Sequence, residues 1–386
     1  MRVALYTPFV VQKNTGIARH ILGLLGGLAA VDQETEYQCF WPSQVPWPED
    51  LPDNFFPVLL GTAAGSPIRR VLSEQRWIQN AYLQRPFDVL HSPFGYLPAR
   101  PPTPSVVTLH DLRMLRSPDS FSSLRGHFLR WTLPRSLRRA DAVIAISEET
   151  RREMLALVPG VRAERVRVAY PGLDRRWFAP VGDAAIRDVR ERLGLVGRFI
   201  LAVSTREPHK NLPRLLEAVA RARAVPGFGD LRFVLVGATF ATGTSDDVAS
   251  IIARLNLSDA TQALGIVSDD DLSKVYAAAS VLCFPSLYEG FGYPPLEAMA
   301  AGTPVVTSNV SCLPEVVGEA AELVDPFDID SIAAGLRRVL TSEVRRSELI
   351  ALGRERAARY SWESHARQVV RAYCEVASIS RRLASR

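Results

Sequence analysis

Two carboxylates with a glycine pair between them are the part of this 386-residue sequence best equipped for chemistry. Glu289 and Glu297 bracket Gly290-Phe291-Gly292-Tyr293-Pro294-Pro295-Leu296. Leu296, Met299 and Ala300 recur at the spacing of one buried helix face, Pro294 and Pro295 suit a first turn, and Gly302 suits the stop. Gly290 and Gly292 let a ligand come close to the backbone. The helix behind them turns free N–H groups and the positive end of its dipole toward that ligand. A carboxylate beside a bound anion is repulsive, so a ligand suited to the whole stretch is bipolar, with phosphate for the N–H groups and hydroxyls for the glutamates. A nucleotide sugar has that composition. A plainer reading is also open, in which Glu297 caps and solvates the helix and the glycines form an ordinary turn.

A second set of groups follows an apolar run that ends at Val203. Arg206 and Lys210 lie in Ser204-Thr205-Arg206-Glu207-Pro208-His209-Lys210-Asn211, just before a helical pattern. Two fixed cations at a strand end suit a diphosphate leaving group, whose charge grows as its bond to the sugar breaks. A solvated surface turn is the alternative, although Lys210 is one of only three lysines in an arginine-rich chain. His91 and His110, the latter followed by Asp111, each end an apolar strand-like run. In open α/β sheets that edge is where ligands bind.

The run from Glu289 through Glu297 to Ala301-Gly302-Thr303-Pro304-Val305-Val306 resembles the signature of the family-four retaining glycosyltransferases, which have the GT-B fold. The resemblance spans nearly the whole chain and is densest from 200 to 325. It implies that Glu289, Gly290, Phe291 and Gly292 contact the donor sugar, that Glu297 holds the ribose hydroxyls, and that Arg206 and Lys210 bind the donor diphosphate. It implies a role for His110 facing the donor sugar across a cleft, so that His110, Arg206, Lys210 and Glu289 form the catalytic set. Asp111 and His91 are then candidates for the acceptor side. Asn14-Thr15-Gly16 resembles the family's glycine-containing first loop, here reduced to Gly16, which adds Gly16 to the donor contacts and Lys13 as an outlying candidate.

The elements that must position these residues read as a two-domain α/β protein. Apolar runs at 2–7, 36–40, 88–91, 105–109, 141–146 and 165–169 alternate with helical patterns at 16–30, 67–83, 121–139 and 147–157. Runs at 198–203, 231–236, 261–264, 280–284, 304–307 and 321–324 alternate with helices at 211–224, 246–255, 269–279, 293–301 and 328–340. Such alternation predicts doubly wound parallel sheets. The Pro-rich stretches from Trp41 to Pro57 and from Pro98 to Pro104 read as loops. The expected division is an acceptor-binding lobe at 1–175, a nucleotide-sugar-binding lobe at 176–360, and a terminal helix at 361–386. By resemblance the two Rossmann-like lobes face a cleft, and the terminal helix crosses back to the first lobe.

Composition narrows the class. Hydrophobic residues make 47% and charged residues 23%, values of a globular protein. No run approaches the roughly 18 apolar residues of a membrane helix. Arg2 to Tyr6 reads as a strand, not a signal peptide, so the expected location is the cytoplasm. The four cysteines are scattered without CxxC spacing and read as reduced thiols. Net charge is +5, with no basic–aromatic stripe of a nucleic-acid binder. Arg125, Arg130, Arg135, Arg138 and Arg139 beside Phe128, Trp131 and Leu133 allow either a solvated basic helix or contact with the inner face of an anionic membrane. Ser268 and Asp271 have capping-box spacing, so Asp269-Asp270-Asp271 reads as a helix start and no metal is expected.

The expectation is therefore a retaining hexosyltransferase that needs no cofactor or metal. It would move a sugar from GDP-mannose, or from a UDP-hexose, to a glycan or lipid-linked saccharide in polysaccharide assembly. The segments around His110 and Lys210 resemble those of bacterial mannosyltransferases, which sets the first choice of donor. A nucleotide-sugar epimerase or glycoside phosphorylase on the same fold is the enzymatic rival. A non-enzymatic two-lobed sugar-binding protein is the rival from another class. No GxGxxG follows the first strand, which argues against a dinucleotide oxidoreductase.

Overall fold

The computed structural model describes residues 1–7, 16–61, 67–98, 100–117, 124–237 and 248–384. The chain forms two compact units, one of residues 1–172 with 360–386 and one of residues 173–359. In the first, the elements run β1 (Arg2–Tyr6), α1 (Gly16–Val31), β2 (Glu36–Pro42), β3 (Phe55–Leu60), α2 (Pro67–Gln84), β4 (Val89–Ser92), β5 (Ser105–Leu109), α3 (Arg113–Arg116), α4 (Leu124–Arg139), β6 (Ala142–Ala145), α5 (Glu148–Leu157) and β7 (Val166–Val168). The described strands pair in parallel in the order β3-β2-β1-β4-β5-β6-β7. Apart from Arg2, every residue of β1, β4, β5 and β6 is buried, which explains why these strands lack the apolar–polar alternation of a half-exposed strand.

β3 corrects the sequence reading, which had Phe55 to Pro57 in a loop. Pro57 pairs opposite Cys39 within this strand. An edge strand tolerates proline because one row of its N–H groups has no ladder partner to lose.

The second unit contains α6 (Asp183–Leu193), β8 (Phe199–Val203), α7 (Leu212–Arg223), β9 (Arg232–Val236), α8 (Val248–Arg254), β10 (Thr261–Gly265), α9 (Asp269–Ala278), β11 (Val281–Phe284), α10 (Tyr293–Ala300), β12 (Val305–Ser308), α11 (Leu313–Val317), β13 (Glu322–Val324), α12 (Ile329–Thr341) and α13 (Glu343–Ala358). Its parallel order is β10-β9-β8-β11-β12-β13. The α6 and α13 helices have no counterpart among the sequence-predicted elements. Both are charge-rich, and each buries only a narrow stripe, so their periodic signal is thin.

The chain ends in α14 (Trp362–Ala384), which packs on α1 within the first unit. Ala366, Val369, Ala372, Tyr373 and Val376 join Val3, Leu5, Ile21 and Leu25 in one buried cluster. Glycine makes the approach possible. A Cβ on Gly23 would sit 1.9 Å from Trp362 Cε2, and one on Gly27 would sit 2.4 Å from the Trp362 carbonyl oxygen. All four cysteines are free, and only Cys374 is exposed.

Candidate active site

The second unit places its chemistry by topology. Its strand order reverses direction at β8, whose neighbours are β9 on one side and β11 on the other. The loops leaving the carboxyl ends of β8 and β11 therefore diverge around a crevice, the position where open α/β sheets bind ligands. These two loops are Ser204–Asn211, which carries the predicted cations, and Pro285–Gly292, which carries Glu289 and leads into the helix of Glu297.

Hydrogen bonds lock the loops together. The Leu287 N–H donates to the His209 carbonyl at 2.7 Å. Asn211, in the left-handed region at φ 61°, is buried, and its Nδ2 donates to the carbonyls of Pro285 at 3.0 Å and Pro326 at 2.7 Å. Lys210 is thereby aimed along the loop from β11, and its Nζ donates to Glu289 Oε1 at 2.7 Å. The two side chains are 16% and 13% exposed, so this ion pair is screened less than a surface pair but remains open to a ligand. Arg206 lies on the same loop and is exposed.

Glu289 is fixed by its backbone. Its N–H donates to Ser311 Oγ at 3.1 Å, and the Ser311 hydroxyl donates to its carbonyl at 2.7 Å. Ser311 itself has φ 59°, an unusual conformation for serine that this double bond supports. Gly292 precedes α10 with φ 95°, where a Cβ would meet Leu313 Cδ2 at 2.7 Å, so the turn into the helix requires glycine. Phe291 is buried against Tyr293, with ring centroids 5.2 Å apart, and can offer a ligand only its backbone. Glu297 lies on α10 at 1% exposure, and its Oε2 accepts from the Tyr276 hydroxyl at 2.9 Å.

The first unit has its own reversal between β1 and β4. His110 follows β5 and is partly buried; its Nε2 lies 2.8 Å from the Pro93 carbonyl oxygen. A carbonyl only accepts, so Nε2 carries the hydrogen. Burial lowers the pKa of His110, against smaller opposing effects of Pro93 and Asp111, so the ring is neutral and Nδ1 holds a lone pair. Asp111 Oδ1 accepts from the Arg113 N–H at 3.0 Å and starts α3. Gly16 is the exposed first residue of α1, while the preceding loop with Lys13 lies outside the described residues.

His91 must be corrected. It is fully buried, with Nδ1 2.6 Å from the Tyr373 hydroxyl and Nε2 2.9 Å from Thr108 Oγ1, so no ring nitrogen faces a ligand. Burial pulls its pKa down to about 3. His20, from α1, stands edge-on to His110 and His365 at ring-centroid distances of 4.5 and 4.9 Å. His20 is held well below its usual range by burial and by these neighbours, and His365 is lowered to about 4.

The carboxylate trio behaves as a helix start. Ser268 Oγ caps the Asp271 N–H at 3.0 Å, while Asp269, Asp270 and Asp271 pair with Arg176, Lys274 and Arg192 respectively. Among the described residues, no group of three or more His, Cys, Asp and Glu side chains could hold a metal ion. Along α4, Arg138 donates to the Pro159 carbonyl, Arg139 donates to the Pro98 carbonyl, and Arg135 lies 4.0 Å over the exposed Trp131 ring. No helix of the described residues is long and apolar enough to cross a membrane.

Sequence reasoning missed Ser311 and Tyr276. Ser311 carries no local signal, because its partner is 22 residues earlier. Tyr276 did carry one: a tyrosine on the buried face of a helix needs a partner for its hydroxyl.

Parallel α/β units with polar groups gathered at a strand-order reversal are common to nucleotide-binding α/β folds, GT-B glycosyltransferases among them. The model for "Glycosyl transferases group 1" matches residues 188–356, and that for "Glycosyltransferase Family 4" matches residues 14–177. O-antigen chain mannosyltransferase B of Escherichia coli is 31% identical over 390 residues, covering 97% of this chain and 99% of that one. The MMP alpha-(1->4)-mannosyltransferase of Mycolicibacterium hassiacum is 36% identical over 244 residues, covering 62% of this chain and 55% of that one. Sucrose-phosphate synthase from Thermosynechococcus elongatus matches the fold with TM-score 0.79 at 22% identity, over 98% of this chain and 100% of that one. Anabaena HepE in complex with UDP-glucose matches with TM-score 0.72 at 20% identity, over 97% of this chain and 100% of that one. The chain belongs to the group 1, family-four glycosyltransferases and has the GT-B fold.

Proposed function

We propose that the protein transfers a mannosyl group from GDP-mannose to a glycan or lipid-linked saccharide acceptor, with retention of anomeric configuration. The observation that carries the reading is the meeting of Lys210 and Glu289 at the β8/β11 reversal. The sugar is taken from the full-length relative named as an O-antigen mannosyltransferase. In this reading Lys210 and Arg206 bear on the diphosphate and stabilise the charge that builds as the sugar–phosphate bond breaks. The N–H groups of Gly290, Phe291 and Gly292 face the donor, Glu289 contacts the sugar, and Glu297 holds the ribose diol. His110 accepts a sugar hydroxyl through Nδ1, Asp111 serves the acceptor, and Gly16 borders the donor.

Retention by front-face attack needs no ionised base, because the departing phosphate takes the acceptor proton. No metal enters the step. The same reading puts the work at the cytoplasmic face of an anionic membrane, with α4 as the contact. The test is a transfer assay with GDP-mannose and UDP-hexoses side by side, with and without EDTA, and NMR of the product. An α-linked mannoside formed equally well in EDTA is expected. An inverted product overturns the mechanism, and turnover with a UDP-hexose alone overturns the donor.

A further inference from the structure

We propose that Tyr276 is a positioning residue that sets the plane of the Glu297 carboxylate for the donor ribose, an inference that rests on the role given to Glu297 above. A carboxylate at 1% exposure must be hydrogen-bonded to remain charged there. Tyr276, itself fully buried, supplies such a bond from its hydroxyl at 2.9 Å. Tyr276 is held at its backbone, its ring and its helix. Its backbone carbonyl accepts from Thr303 Oγ1 at 2.6 Å, beyond the end of α10. Its ring meets the buried Trp177 edge-on, with centroids 5.9 Å apart. Its helix, α9, is anchored by the Ser268 cap and the Arg192–Asp271 pair.

Tyr276 and Glu297 thus sit on two helices whose relative height is fixed independently of their own bond. The hydroxyl restricts rotation of the carboxylate about its last torsion, and that plane decides where its lone pairs point. A vicinal diol is recognised by two directed acceptors, so a plane fixed in advance removes an ordering cost at binding. A tyrosine suits this better than a cation would, because a neutral donor leaves the carboxylate charge available to hydroxyls.

The test compares GDP with 2′,3′-dideoxy-GDP by calorimetry on the wild type, Tyr276→Phe and Glu297→Gln; UDP and its dideoxy analogue are used instead if UDP is what the wild type binds. Tyr276→Phe keeps the ring and removes one hydroxyl. It should weaken the ribonucleotide about tenfold, leave the dideoxy analogue unchanged, and raise donor KM with kcat within about twofold. Thr303→Val, which removes the bond to the Tyr276 backbone carbonyl and so loosens α9 against the end of α10, should give a smaller loss with the same ligand pattern, and it carries the test if Tyr276→Phe does not fold. Equal weakening of both ligands, or of neither, overturns the proposal. If Glu297→Gln loses the preference for ribose while Tyr276→Phe keeps it, only the role of Tyr276 fails. If the wild type itself does not distinguish the two ligands, the ribose reading of Glu297 fails and the proposal with it.

Discussion

Replacing Glu289 by glutamine should tighten nucleoside-diphosphate binding while slowing transfer. Glutamine keeps an oxygen to accept from Lys210 and removes one negative charge. Lys210 Nζ lies 2.7 Å from the carboxylate, so a phosphate oxygen taken up on its other side would sit roughly 5–6 Å from Glu289. Two unit charges at that separation repel by about 3 kcal/mol at an effective dielectric near 20, and by about 0.8 kcal/mol in bulk water. The pair is mostly shielded from solvent, which favours the upper part of that range. A gain of about 1–3 kcal/mol corresponds to roughly 5- to 150-fold in Kd. Calorimetry with GDP measures the gain, and steady-state assay with GDP-mannose measures the fall in kcat expected if the proposed sugar contact of Glu289 is lost. Unfolding would weaken both, so opposite signs identify the charge effect. Weaker GDP binding by a folded Glu289→Gln protein would refute the reasoning and make Glu289 a support for Lys210. Lys210→Ala supplies the counterpart. In the proposed diphosphate role the attraction of Lys210 grows as charge moves onto the leaving group, so the change should lower kcat on the order of 10²–10³-fold, more than it raises donor KM. It should also lower Tm by leaving a mostly buried carboxylate without its cation, and adding Glu289→Gln should restore Tm without restoring kcat.

Acid should destabilise the first unit well before its carboxylates titrate. His91 and His365 have folded pKa values of about 3 and about 4, below the unfolded value near 6.5, and His20 and His110 are lowered as well. The unfolded chain therefore binds more protons, and stability that is complete above about pH 6.5 is lost as pH falls toward 4. At pH 5.5 His91 and His365 should each cost about 1.4 kcal/mol. Urea midpoints at pH 7.5 and 5.5 check this, and His365→Gln should flatten the slope. For the membrane, vesicles containing anionic lipid should float the protein at low salt better than neutral ones. Replacing Arg130, Trp131 and Arg135 should abolish the difference, and equal recovery from the outset would remove α4 from the reading.

Much of the architecture was written locally. Apolar runs such as Val281 to Phe284 and the helical spacing of Leu296, Met299 and Ala300 are properties of neighbouring residues, so the alternation of strand and helix could be read without coordinates. The stretch from Glu289 to Val306 is contiguous, and its likeness to family-four enzymes was therefore visible in the chain alone. Local reading failed where the deciding partner is distant. Pro57 lies in a strand because β2 pairs with it at an edge, a placement its own neighbourhood of prolines concealed.

Strand order has no local signature, and strand order decides the site. Only the reversal at β8 brings Lys210 to Glu289, 79 residues later, and only the packing of α9 on α10 brings Tyr276 to Glu297. His91 and His110 looked alike as strand-end histidines. They differ because Tyr373, 282 residues beyond His91, closes over it, whereas His110 spends one nitrogen on a backbone carbonyl and keeps the other as a lone pair. Residue types and their spacing determined what chemistry this chain could perform. Hydrogen bonds across long sequence separations determined which of those residues reach the ligand-binding edge and in what protonation state, because burial and pairing are set by whatever the fold packs against each group.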